Sequence, residues 1–294
     1  MSHHGGMDPH AVIPPDLAPL RDWIGRQETR DDTLAATPVA ALSATLDRDD
    51  PPPLPGTALP PLWHWLYFTP LTRQSELGVD GHAQRGGFLP PVPLPRRMWA
   101  GGRLEFRQPL RVGDTVTRTS TIQDVTVKHG RTGALVFVCV RHAFSNAQGL
   151  ALSEEHDIVY RDVVQPGAPV PEPTQAPRDE QFSRAIVPDP VLLFRYSALT
   201  FNGHRIHYDR SYVTGVEGYP GLVVHGPLIA TLLLDLLRRH LPHAQVQRFS
   251  FKAVRPTFDL HPFTVCGKRD GQTVTLWGRD HEGWLTMQAS AEIA

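Results

Sequence analysis

Six side chains that can hold, donate or accept a proton fall in eight consecutive positions: Asn202, His204, Arg205, His207, Tyr208 and Asp209. An imidazole titrates near neutral pH and can shuttle a proton. An amide can hold a water molecule, and a guanidinium matches a carboxylate in a two-pronged contact. Nineteen positions after His207 comes Gly226, followed by Pro227 and a leucine-rich run. A first-turn proline marks a helix start, where free N–H groups and the dipole favour negative charge. A base, a water holder and a donor for a developing oxyanion together suit general acid–base chemistry at a carbonyl compound.

The elements that must position these groups follow from pattern. Phe194–Thr200 is aromatic, apolar and β-branched and is expected as a strand leading into the polar cluster. "GPLIATLLLDLLRRHLP", Gly226–Pro242, reads as a helix buried on most sides, with Arg238, Arg239 and His240 in its last turn. "RLEFRQPLRVGD" (Arg103–Asp114) and "RFSFKAVRPTFD" (Arg248–Asp259) match at one offset of 145 residues, about half the chain. Alternating segments with Gly-containing turns follow each copy and predict two antiparallel meanders. A helix with a curved antiparallel sheet wrapped around it, present twice, is an α+β tandem (double) hotdog. The offset from the long helix lands on "HAQRGGFLPPVPLP", which cannot be helical. "PPLWHWLYF" (Pro60–Phe68) is therefore the expected helix of the first half, and Leu71–Pro95 a long irregular loop of functional type. "DLAPLRDWIGRQE" (Asp16–Glu28) is expected as a packing helix.

Composition sets outer limits. A chain of 294 residues has ample core material, and 29 basic against 30 acidic side chains give no reason to expect nucleic acid or a membrane surface as partner. Cys139 and Cys266 lie in apolar segments and read as buried free thiols of a reducing compartment. No signal segment or membrane span is evident, so a cytoplasmic protein is expected. Proline clusters mark loops and suggest four divisions: residues 1–10 without structure, 11–162 as a first hotdog without the motif, 163–179 as a Pro-rich linker, and 180–294 as the second hotdog.

"YSALTFNGHRIH" followed by "VVHGPLIATLLL" resembles the MaoC-like (R-specific enoyl-CoA hydratase) hotdog family, whose motif runs approximately Y-x-x-x-S-G-D-x-N-P-L-H. "LTFNGHRIHYD", "LRDWIGRQETRDD" and "QSELGVDGHAQRGGFLPPVPLPRRMWAGGRLEF" are similar to its double-hotdog subgroup of mesaconyl-C4-CoA (3-methylfumaryl-CoA) and itaconyl-CoA hydratases, over nearly the whole chain. The resemblance implies reversible addition of water to an enoyl-CoA, giving citramalyl-CoA, with no cofactor and no metal. It implies His207 as the proton-transfer group and the Gly226 amide as oxyanion donor. The family's aspartate falls on Asn202, its asparagine on His204 and its tyrosine on Tyr196.

Asn202 departs from that pattern, since an amide cannot be a general base. Either His207 both accepts and returns the proton, or Asp209, Asp80 or His82 replaces the lost carboxylate. The free carboxylate of a dicarboxyl substrate needs a cation: Arg205 and Arg85 lead, with Arg195, Arg96, Arg97 and Arg103 behind. The expected substrate-side set is thus Arg205, His204, Arg85, Asp80, His82 and Tyr196, beside catalytic His207, Asn202 and Gly226. Bland readings stand beside these. His204 can be structural, the Asp80-Gly81 pair can be only a turn, and His225 can simply pack at the helix start. Spacing of His204, His207 and Asp209 is poor for a metal. A 3-hydroxyacyl-thioester dehydratase of fatty-acid synthesis, a thioesterase and a silent acyl-CoA binder are the competing functions. The partner is a CoA thioester, and a homodimer is compatible with the fold but not required by it.

Overall fold

The structure, a computed structural model, describes residues 17–130, 133–162 and 172–294. The expected unstructured residues 1–10 and positions 163–171 of the linker lie outside the described residues. Among the described residues, ten strands form one antiparallel sheet: β1 (Gln27–Thr33), β2 (Arg96–Phe106), β3 (Thr115–Gly130), β4 (Gly133–Asn146), β5 (Gly149–Arg161), β6 (Phe182–Ile186), β7 (Val246–Ala253), β8 (Phe263–Asp270), β9 (Thr273–Arg279) and β10 (Leu285–Ile293). Their order is β1-β3-β4-β5-β2-β7-β10-β9-β8-β6. From either edge to the middle it is the same sequence of first, third, fourth, fifth and second strand of a half. The internal repeat read from the sequence is therefore a structural repeat.

The two halves join at β2 and β7. Leu104 lies directly opposite Phe249, with Gly101 opposite Lys252 and Glu105 opposite Arg248. Phe249 is also the residue 145 positions after Leu104. The repeat thus turns about a point between these two buried side chains, each under 4% exposed.

Four helices accompany the sheet: α1 (Ala36–Thr45), α2 (Pro190–Leu199), α3 (Arg210–Gly215) and α4 (Gly226–His240). Every residue of α4 from Leu228 to Leu237 is buried, and the helix packs against β6, β8, β9 and β10. Each of its buried leucines contributes about 2 kcal/mol. One apolar cluster runs from these leucines to Trp63, Leu66, Phe68, Leu104 and Phe144 of the first half.

The charge within α4 is also met from the first half. Asp235, 4% exposed, accepts from Arg48 Nη1 at 2.7 Å, Arg184 Nη1 at 3.1 Å and Arg239 Nε at 2.7 Å. Just after α1, Asp50 pairs with both Arg48 and Arg238. Burial works against the Asp50 charge, but Arg48, Ser43 and Arg238 outweigh it and hold its carboxyl below the ordinary range.

Three expectations are corrected. Phe194–Thr200 is not a strand: through Leu199 it is the body of α2. Asp189 caps this helix by accepting from Leu192 N at 2.8 Å, and Pro190 fills the first turn. That local start outweighs the β-type composition. Pro60–Phe68 yields only a 3-10 turn, Trp63–Leu66. Left-handed residues bracket it, Leu62 at φ 72° and Phe68 at φ 55°, and neither continues a helix. The first half therefore has no counterpart of α4 among the described residues. Glu154, 3% exposed, holds the turn by accepting from His64 Nε2 at 2.9 Å and Trp65 Nε1 at 3.0 Å. Of the described part of Asp16–Glu28, from Leu17 on, only Ala18–Trp23 is helical, again 3-10, and β1 begins at Gln27. Cys139 and Cys266 are both free, and no helix among the described residues is long and apolar enough to cross a membrane.

Replacing Asp235 by alanine leaves three arginines facing a buried gap. Stability is expected to fall by about 3 kcal/mol, read as a shift in the urea midpoint at unchanged slope. A change within experimental error would show that the arginines find other partners.

Candidate active site

The polar cluster follows α2 directly. Asn202 to His204 form a short turn: Asn202 N donates to Ser197 O at 2.8 Å, and Asn202 Oδ1 accepts from His204 N at 3.0 Å. The Asn202 amide nitrogen has no protein partner among the described residues. Arg205–His207 is a single 3-10 turn, and Asp209 then caps α3, accepting from Tyr212 N at 3.0 Å and Ser211 Oγ at 2.7 Å.

His207 is 7% exposed. Its Nδ1 lies 2.7 Å from the Val223 carbonyl oxygen. A carbonyl only accepts, so Nδ1 carries the hydrogen and Nε2 keeps its lone pair. Burial pushes this imidazole down to about 4, against the opposing pull of Val223, with the His82 charge adding to the depression. His207 is therefore a neutral base at physiological pH.

Behind it stacks His225, with ring centroids 3.7 Å apart and planes 17° from parallel. His225 is the N-cap residue of α4 and is fully buried. Its Nε2 lies 2.7 Å from Ser197 Oγ, and its Nδ1 has no partner among the described residues. Burial, then the neighbouring imidazoles His207 and His204, holds it well below its usual value. The residue after His225, Gly226, thus begins the helix close to the His207 ring. A side chain built on Gly226 would meet nothing within 4 Å, and as the first residue of α4 its N–H has no partner within the helix. Tyr196 lies deeper, 2% exposed, with its ring 5.0 Å from His225 and its hydroxyl on Thr231. It supports the helix start from within the core.

A loop from the first half completes the cluster. Arg205 N donates to Asp80 O at 2.9 Å, and Arg205 Nη1 donates to Val79 O at 2.9 Å. Gly81 has φ 88°, and a Cβ there would lie 1.9 Å from Gly203 O, so only glycine permits this docking. Asp80 accepts from His82 N at 3.0 Å and holds His82 Nδ1 at 3.1 Å. Burial alone would raise the Asp80 carboxyl, but the His82 contacts outweigh it and hold it below its ordinary range. The His82 ring lies 4.0 Å from that of His204, which in turn is 5.4 Å from that of His207. Four imidazoles from two halves of the chain thus stand in one row. Burial, reinforced by His82 and His207, drives His204 down to about 2.

Of the remaining candidates, Asp209 is occupied by its capping bonds and by Arg205 Nε and Nη2, at 3.0 and 2.8 Å. Arg205 also covers the Tyr212 ring at 4.1 Å. It clamps the Val79–Asp80 loop to the motif, with its charge already matched. Arg85 donates to the carbonyls of Val92 and Pro95, so its guanidinium braces its own loop. Asp80, His82 and His204 are of metal-ligating type, with donor atoms within 4.8 Å of one another. The trio weighed from the sequence, His204, His207 and Asp209, was set aside for its poor spacing, and it shares only His204 with this group. Asp80 already engages Nδ1 of His82, and the Arg97 and Arg85 charges oppose further positive charge there. His225, read from the sequence as packing at the helix start, does so as the N-cap residue of α4 and also stacks on His207.

A buried neutral base beside a free helix N-terminus, in a double antiparallel repeat, defines a hotdog enzyme of the hydro-lyase type. The family "Hydroxyacyl-thioester dehydratase type 2" matches residues 62–259. The chain is 48% identical over 274 residues to "Mesaconyl-C(4)-CoA hydratase" of Chloroflexus aurantiacus, covering 92% of this chain and 96% of that protein. Two solved Mycobacterium tuberculosis structures share the fold. HtdX has TM-score 0.65 at 17% identity, covering 92% of this chain and all of that one. A protein described as a double hotdog has TM-score 0.56 at 14% identity, covering 92% and 96%. The chain belongs to the hydroxyacyl-thioester dehydratase type 2 family of MaoC-like hotdog hydratases and dehydratases.

Two outcomes are expected. Between pH 7 and 5 the unfolded chain protonates histidines near 6.5, while folded His142 and His207 hold out to about 4 and His156 to about 3. Stability present above pH 6.5 should therefore fall as pH is lowered across this window. A thermal midpoint that stays flat from pH 7 to 5 would contradict it. Gly81→Ala should undock the loop and lower turnover while far-ultraviolet circular dichroism stays native. Full activity would show that the loop is not part of the site.

Proposed function

We propose that the chain adds water reversibly to a branched C4-dicarboxyl enoyl-CoA of the mesaconyl-C4-CoA type, forming citramalyl-CoA. The observation that carries the chemistry is the neutral His207, its Nδ1–H fixed on Val223 O, beside the open N-terminus of α4. The identity to the Chloroflexus hydratase carries the substrate.

His207 Nε2 takes a proton from water as the oxygen bonds to the β-carbon. The double-bond electrons move towards the thioester carbonyl, and the resulting enolate oxygen accepts from Gly226 N–H. His207 then returns the proton to the α-carbon, so water has been added and nothing else is consumed. The free Asn202 amide nitrogen holds the water through its oxygen, replacing the family carboxylate as a positioning group. His82 and Asp80 of the first half, with His204 of the motif, close the site and touch the acyl portion. A CoA ester is a soluble metabolite, which goes with a cytoplasmic enzyme. A homodimer is compatible with two hotdogs per chain but not needed to complete this site.

The test follows enoyl-thioester absorbance with mesaconyl-C4-CoA, itaconyl-CoA and crotonyl-CoA. Wild type should turn over a dicarboxyl substrate. His207→Ala should lose about 10²–10⁴-fold in kcat and retain binding. The acid limb of kcat/KM should lie near 4, because lowering the pH through that point protonates the base. Turnover of crotonyl-CoA alone would favour a fatty-acyl dehydratase, and tight binding without any turnover would leave a silent binder.

A further inference from the structure

β2 carries three arginines with three different fates. Arg103 lies on the outer face, where it pairs with Glu155 at 2.7 Å and Asp157 at 2.7 Å. Arg96 reaches across to the second half, bonding Glu217 O at 3.1 Å and lying over the Tyr219 ring. Arg97 is directly opposite Tyr160, and Trp99 opposite Ile158. Side chains of directly opposed residues share a face, and Tyr160 and Ile158 are buried in the core under the first half. Arg97 and Trp99 therefore point inward. Trp99 stacks on His156 at 4.0 Å and meets Trp65 and Phe251, forming an aromatic wall. Arg97 is half-buried, lies on the same face as its opposite residue Tyr160, and forms no ion pair with a carboxylate among the described residues.

Its position is fixed from a second direction. The Arg97 charge acts at once on His82, His156 and His204. With the strand register that turns it inward, this sets Arg97 near both the first-half wall and the imidazole row that ends at His207. The other arginines named from the sequence are committed: Arg205 to Asp209 and Val79, Arg85 to two carbonyls, Arg96 to Glu217, and Arg103 to two carboxylates. Arg195 is exposed on α2. A cation drawn from solvent without a counter-ion is costly. Such a cation facing a reaction site is matched when the ligand brings the anion.

We infer that Arg97, beside Tyr160 and Trp99, receives the free carboxylate at the far end of the acyl group and so selects dicarboxyl over monocarboxyl thioesters. This rests on the reading of the site as an acyl-CoA hydratase and adds where its acyl specificity resides. His207 and Gly226 act at the thioester end. Arg97 acts at the other, from the half that lacks the motif.

The test uses two unreactive ligands of equal chain length, succinyl-CoA and butyryl-CoA, titrated calorimetrically into the full chain. Wild type should bind succinyl-CoA at least about tenfold tighter, as expected for a charged hydrogen-bonded pair. Arg97→Met should remove that preference while butyryl-CoA binding stays within about threefold. Arg97→Lys should restore part of the preference, since it keeps the charge and loses the fork. The inference is overturned by a wild type with no preference, by an Arg97→Met protein that retains it, or by equal loss of both ligands. Absence of turnover would instead remove the hydratase reading. Being measured separately from binding, it is distinguishable from failure of the carboxylate site.

Discussion

Hydrogen bonding between β2 and β7 makes one sheet out of two, with Leu104 and Phe249 back to back at the centre. This pairing determines which parts of the chain can meet. The loop around Asp80 precedes β2, and the motif around His207 precedes β7, so both stand near the seam. Without it, Gly81 could not lie against Gly203, nor His82 against His204. The active site is a property of the seam as much as of the second half.

The two halves have diverged in what fills them. The second keeps α4, and the first replaces its counterpart with the Trp63–Leu66 turn. Glu154 is buried to hold that turn. Burial opposes its charge, but His64, with His142 and His156 nearby, holds its carboxyl at about 2. A single carboxylate thus organises His64 and Trp65 where a helix would have organised ten or more residues. Trp65 then packs against Trp99, giving the first half an aromatic wall. Where the second half presents a helix N-terminus, the first half presents an aromatic wall.

Much of this was legible in local sequence. Alternation marked the long strands, Gly226-Pro227 marked the helix start, and the 145-residue offset marked the repeat. What failed was decided by interactions that residue type conceals. Phe194–Leu199 became a helix because Asp189 caps it, a start signal masked by aromatic and apolar residues. Pro60–Phe68 failed as a helix because the chain turns left-handed at Leu62 and Phe68. Asp80 and His82 were recognised as candidates, but their meeting with His204 depends on residues far apart in sequence. The same holds for Arg97, one of several arginines in sequence and distinct only once strand register assigns each to a face.

The row of His82, His204, His207 and His225 explains how the site can use a base of low pKa. Imidazoles this close and this buried are stable together only when uncharged, since each protonated ring would repel the next in a medium that screens poorly. The resting site therefore holds neutral His207, and positive potential comes from Arg97 and the N-terminus of α4. In the proposed addition of water, His207 becomes an imidazolium while negative charge develops on the thioester oxygen at Gly226. That ion pair exists only along the reaction path. The substrate ground state gains nothing from it, whereas the transition state gains all of it, which is the condition for binding energy to accelerate a reaction. The burial that makes His207 hard to protonate by solvent thus becomes useful at the moment the enolate appears. A solvent-exposed histidine of ordinary pKa would be a stronger base in water, but its charge and that of the enolate would be screened from each other. The sequence places Asn202, rather than a carboxylate, beside this base. A second anion there would compete with the enolate for the imidazolium, so an amide keeps the developing charges paired with each other.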